Sequence, residues 1–134
     1  MYKFAIIASL AASLALPAAR AGQGAFATVS VYSSSTGVSA YGSIADARIS
    51  ADNVQYIGCG ILTNEDGSSI IQCYASDTAG NGAYCDASDP SQAALAAVSS
   101  VNGVSAVYFT ADSSGHCTYL SVSNASYYFI SRIP

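Results

Sequence analysis

A chain of 134 residues with four Lys and Arg in all, eight Asp and Glu and a single His has too little positive charge to neutralise a row of phosphates. That excludes nucleic acid and an anionic membrane surface as expected partners. No stretch approaches the roughly 20 consecutive apolar residues of a membrane-crossing helix, so no membrane span is expected.

The first residues carry the marks of an export signal. Lys3 supplies a positive start, Phe4 to Leu16 is an apolar run, and Pro17 precedes small residues ending in Ala19-Arg20-Ala21. Cleavage after Ala21 makes residues 1–21 a signal peptide and 22–134 a single domain of 113 residues, enough for one core. The expected location is the periplasm, the cell surface or the medium. The residue immediately after the cut is Gly22 and not Cys, so no lipid anchor is signalled. What remains holds Arg48 and Arg132 against eight acids, a net charge of −6, and is rich in Ser, Gly, Ala, Tyr and Val. Such a mixture favours strands and turns.

Cys59, Cys73, Cys85 and Cys117 form an even set behind an export signal, which predicts two disulfides. Their spacings of 14, 12 and 32, with only His116 nearby, lack the close pairs of a zinc site. Acids cluster at 64–68 and 77–89 without the alternating oxygen ligands of a calcium loop. Neither a metal nor a cofactor is therefore expected.

Residues 25–42 alternate around Ser34-Ser35-Thr36-Gly37 and predict a first hairpin. Ser43 to Ser50 reads as a weak strand. Val54 to Leu62 and Ser68 to Ala75 flank Asn64-Glu65-Asp66-Gly67, and a loop of Glu65, Asp66 and Gly67 sets Ile61 against Ile71 and Cys59 against Cys73. Period two then gathers Ile57, Cys59, Ile61, Ile71, Cys73 and Ala75 on the core face. The same count across Asp77-Thr78-Ala79-Gly80 sets Cys73 against Cys85. Directly opposed residues suit a disulfide on either side, so two pairings stay open: Cys59–Cys73 with Cys85–Cys117, or Cys73–Cys85 with Cys59–Cys117.

Asp89 as N-cap before Pro90, with Ala94, Leu95, Val98 and Val101 on one face and Asn102-Gly103 as a stop, predicts a helix over about 90–101. Val104 to Ala111 and His116 to Ser123 make a last hairpin around Asp112-Ser113-Ser114-Gly115, and Ala125 to Ile130 reads as a further strand. The expected fold is mainly β: an antiparallel meander sheet or a small two-layer β structure, with one packed helix and disulfide stabilisation.

Candidate chemistry is sparse. His116, the one imidazole, falls at a hairpin tip, and no G-x-S-x-G elbow accompanies it. Glu65 and Asp66 are adjacent at another tip, and the acids generally fall where Asp satisfies turn amides. No catalytic residue is assigned. Tyrosine is the distinctive side chain, and Tyr56 and Tyr74 lie opposite the cysteine face with Gln55 and Gln72. These four are the candidate binding residues, although tyrosines also serve as cross-strand partners.

The segments Gln55-Tyr56-Ile57-Gly58-Cys59, Cys73-Tyr74-Ala75, Cys85 and Gly115-His116-Cys117-Thr118 resemble those of small exported bacterial four-cysteine proteins without assigned activity. The resemblance implies export and a disulfide framework. A structural or binding protein is the expected function, its partner a glycan, a cell-wall component or a protein. The rival expectations are a small secreted hydrolase using His116 or an acid pair, and a secreted inhibitor or toxin.

Overall fold

The computed structural model describes residues 26–125; the expected signal peptide and most of the expected Ala125 to Ile130 strand lie outside them. The elements are β1 (Ser30–Ser34), β2 (Gly37–Ser43), α1 (Ile44–Ile49), β3 (Tyr56–Thr63), β4 (Ser69–Ser76), β5 (Gly82–Ser88), α2 (Gln92–Ser99), β6 (Ser105–Asp112) and β7 (Cys117–Asn124). Two antiparallel sheets result: a four-stranded sheet in the order β1-β2-β6-β7, and the three-stranded meander β3-β4-β5. The protein is mainly β and two-layered, with two disulfides, as the sequence predicts.

Turn chemistry sets the registers. Gly67, Gly80 and Gly115 have φ of 86°, 80° and 89°, and each donates its N–H to the carbonyl three residues earlier, at 3.0 Å in all three turns. Only Gly enters this region without a Cβ penalty. Cys73 consequently faces both Cys59 and Cys85, and Ile61 faces Ile71.

The Ser34–Gly37 turn departs from this pattern. Its loop is the pair Ser35-Thr36, and Gly37 already pairs with both Ser34 and Asp112. Its φ is 150°, and a Cβ there would stand 2.0 Å from the Ala111 carbonyl oxygen. Gly37 is what lets β2 lie against β6. Gly37→Ala is therefore expected to destabilise by more than about 1 kcal/mol, since the native backbone is incompatible with a side chain. Urea unfolding of the variant checks this.

The inner face of the meander is the predicted one. Ile57, Ile71, Cys73 and Ala75 are buried, joined by Ala83 and Cys85, while Cys59 and Ile61 pack against them half-buried. The four-stranded sheet answers with Ala40, Val107, Phe109 and Ala111. Phe109 is the largest fully buried side chain.

Two local expectations are corrected. Ser43 to Ser50 is not a strand: Ser43 Oγ accepts the Asp46 N–H at 3.2 Å and opens α1, whose Ala45 and Ala47 are buried. The spacing Ser43-x-x-Asp46 is a capping box in form. Asp46 does more, accepting the Ala27 N–H at 2.7 Å and tying the chain start to the helix. In α2 the N-cap is Ser91, accepting from Ala94 N at 3.1 Å, whereas Asp89 sits at φ 52° in the preceding loop. The predicted apolar face of that helix stands, with Val98 buried and Ala94, Leu95 and Val101 packed beside it.

The disulfides are Cys59–Cys73, within the meander, and Cys85–Cys117, between the sheets. A bulge makes the second one feasible. Phe109 pairs with Leu120 and Thr110 with Tyr119, but Ala111 pairs with Cys117 instead of Thr118. Without that extra residue, alternation would turn Cys117 outward with Tyr119; with it, Cys117 shares the inner parity of Ala111. Thr118 is left outside, its hydroxyl 2.7 Å from that of Thr110.

Candidate binding faces

Because the inner face of the meander is given to the core, alternation sends the intervening residues outward. Across the sheet Gly58 aligns with Tyr74 and Tyr84, and Gly60 with Gln72 and Asp86. The Tyr56 and Tyr74 rings lie 6.2 Å apart, tilted at 58°. Gln72 Nε2 donates to the Tyr84 hydroxyl at 2.9 Å. All three rings are about half exposed. On β3 the neighbouring surface is bare: a Cβ at Gly60 would meet nothing within 4 Å, and one at Gly58 only the Tyr74 ring edge at 3.9 Å. A strip of backbone is thus flanked by tyrosine rings and an amide.

Of the four candidate binding residues, the structure brings Tyr56, Tyr74 and Gln72 together and adds Tyr84. Gln55 is elsewhere. Preceding Tyr56 by one residue, it turns the other way, accepts the Val29 N–H at 3.0 Å and donates to Asp52. Its amide holds the start of β1. Tyr84 was findable, since the count that sets Cys73 against Cys85 also sets Tyr74 against Tyr84.

The four-stranded sheet has a second aromatic face that the sequence reading missed. Tyr41 and Tyr108 are paired neighbours, and the Tyr108 and Tyr119 rings lie 5.5 Å apart. A shallow groove of about 410 Å³ runs beside them, lined by Tyr32, Ser39, Tyr108, Thr110 and Thr118, with Asp112 at one end. All seven tyrosines among the described residues are at least 36% exposed, and the buried aromatic is Phe109. Tyrosine in this protein is a surface residue.

His116 marks the seam between the sheets. Its ring is 63% exposed, with Nδ1 3.9 Å from the Asp86 carboxylate and 3.3 Å from the Asp86 carbonyl. The Asp86 N–H donates to Gly115 O at 3.0 Å, making one parallel bridge beside the Cys85–Cys117 disulfide. Among the described residues no serine hydroxyl is hydrogen-bonded to His116. The grouping of metal-capable side chains among them is Cys73, Cys85 and Cys117, and all three sulfurs are in disulfides.

The turn acids are occupied by their own loops. Asp52 is held below the ordinary carboxylate range chiefly by the Gln55 N–H, Asp66 by the Ser68 hydroxyl, Asp77 by the Asn81 amide and Asp112 by the Ser114 hydroxyl. Depressed folded values mean that the unfolded chain takes up protons first. The stabilisation is complete above the ordinary value of 3.8 and disappears as pH falls through the lowered ones. Thermal midpoints are expected to be level from about pH 7 to pH 5 and to drop below about pH 4, where unfolded aspartates protonate. Melting curves across that range check the sign.

No family model, curated protein or solved structure matches this chain.

Proposed function

We propose that this protein is an exported, disulfide-stapled binding protein that holds an uncharged, hydroxyl-rich polymer, a cell-wall glycan, against Tyr56, Tyr74 and Tyr84. The observation that carries this reading is the outer face of the meander, where three half-exposed rings and Gln72 border the bare backbone of Gly58 and Gly60. Tyrosine rings offer flat apolar area for sugar C–H faces at low entropic cost, and their hydroxyls and the Gln72 amide supply hydrogen bonds at the edges. Two arginines against eight acids beyond the signal disfavour an anionic polymer. The signal-like first residues and the likeness to small exported four-cysteine proteins belong to the same proposal.

The test is sedimentation of the mature protein with insoluble cell-wall polysaccharide. Tyr74→Ala is expected to weaken binding about tenfold, the roughly 1.4 kcal/mol of a modest hot spot, and Tyr56→Ala to act in the same direction, with far-ultraviolet circular dichroism unchanged. Absence of binding by the native chain, or equal binding by the variants, contradicts the proposal.

A further inference from the structure

The meander sets Cys59, Cys73 and Cys85 abreast on three adjacent strands, and Cys117 enters from β7 to meet Cys85. The Sγ atoms of Cys73, Cys85 and Cys117 all lie within 4.8 Å of one another. The inner sulfur of one bridge therefore faces both sulfurs of the other. Cys73 and Cys85 are fully buried, whereas Cys59 and Cys117 are half-buried.

The register also accommodates a different bridge. A residue in a central strand directs its N–H and C=O toward one neighbour, and the 4.1 Å Cα separation of Cys59 and Cys73 marks the non-hydrogen-bonded side. Cys73 and Cys85 then form the hydrogen-bonded pair, with Cα atoms about 5.5 Å apart, inside the span that a disulfide bridges.

We infer that this cluster is a thiol–disulfide exchange site whose co-substrate is a small dithiol, and whose half-reduced form carries a Cys73–Cys85 bridge with Cys59 and Cys117 as thiols. A thiolate of the dithiol attacks Cys59 Sγ, forming a mixed disulfide and expelling Cys73 as a thiolate into the core. An unsolvated anion there is costly, and Cys85 Sγ is within reach. Attack on it forms Cys73–Cys85 and expels Cys117, which takes a proton at the seam. The second thiol of the dithiol then attacks the mixed disulfide, frees Cys59 and leaves as a cyclic disulfide. The dithiol has lost two electrons and two protons, and the protein has gained both.

Entry at Cys117 gives the same product. Cys85 is then the expelled thiolate, it attacks Cys73 Sγ, and Cys59 departs. Both routes converge because the buried pair is shared between them, and in both the covalent tie between the sheets is exchanged for one inside the meander.

One equivalent of dithiothreitol, added to the oxidised mature protein and followed by acid quench, alkylation and peptide mapping, tests this. The expected result is label on Cys59 and Cys117 together with a linked Cys73–Cys85 peptide. Label on Cys59 with Cys73, label on Cys85 with Cys117, a mixture of fully oxidised and fully reduced chains, or no reduction overturns it. In a second experiment the Cys59→Ser/Cys117→Ser variant is oxidised and its thiols counted. None is expected, and two free thiols in a folded chain overturn the inference. Mapping of the native chain decides the matter whether or not that variant folds.

Discussion

The Cys85→Ser/Cys117→Ser variant is expected to be about 3.7 kcal/mol less stable than the native chain, against about 3.0 kcal/mol for Cys59→Ser/Cys73→Ser, from the entropy of closing the two loops. The ordering follows from sequence separations of 32 and 14 residues. It also follows from topology. Cys59 and Cys73 sit on strands already joined by a three-residue turn and a full ladder, so their bridge restrains neighbours. Cys85 and Cys117 belong to different sheets that, among the described residues, share one isolated backbone bridge, between Asp86 and His116, so their disulfide is the covalent tie across that seam. Guanidinium unfolding of the two double variants checks the order, and equal losses would show that the seam is held by something other than the disulfide.

Phe109→Ala is the second large effect, with an expected loss of about 3–5 kcal/mol, the range for emptying a buried aromatic site. Phe109 is fully buried, with Ala40 beside it on β2 and Leu120 on β7. Much of the rest of the inner surface is Ala, Cys and Val, whose short side chains fill little of the space left by the ring. By contrast Tyr108→Ala, one residue away on the outer face and 36% exposed, removes a ring that is open to solvent and leaves no enclosed cavity, so its loss is expected to be smaller. A loss for Phe109→Ala no greater than that for Tyr108→Ala would contradict the assignment of inner and outer faces. Equilibrium denaturation with a common slope separates the two.

The parts legible in the sequence are those fixed by local chemistry. Gly67 and Gly80 occur four residues into their turns, and counting outward from each gives the register of all three meander strands and hence its buried face. The helical face of Ala94, Leu95, Val98 and Val101 was equally plain. What sequence reading could not reach depends on partners far along the chain. The pairing of Gly37 with Asp112, and with it the four-stranded sheet and its tyrosine face, joins segments separated by the whole meander. The disulfide pairing was undecided for the same reason. Cys73 faces a cysteine on each side, and the outcome rests on where β7 brings Cys117, which a bulge at Thr118 decides. Residues 43–50 were misread because Ile44 and Ile49 suggest a strand while the capping residues Ser43 and Asp46 specify a helix start. Gln55 was assigned to the binding face against the alternation that its neighbour Tyr56 obeys.

Within the meander the inner face holds the cysteines and the core, and the outer face is the proposed binding surface. Titration of the ¹⁵N-labelled mature protein with soluble cell-wall oligosaccharide, followed by amide chemical shifts, tests it most directly. Shifts are expected to concentrate at Gly58, Gly60, Gln72, Tyr74 and Tyr84, with those of Val107 and Phe109 unmoved. Shifts confined to the groove beside Tyr32 and Thr110, or no shifts at all, would contradict it.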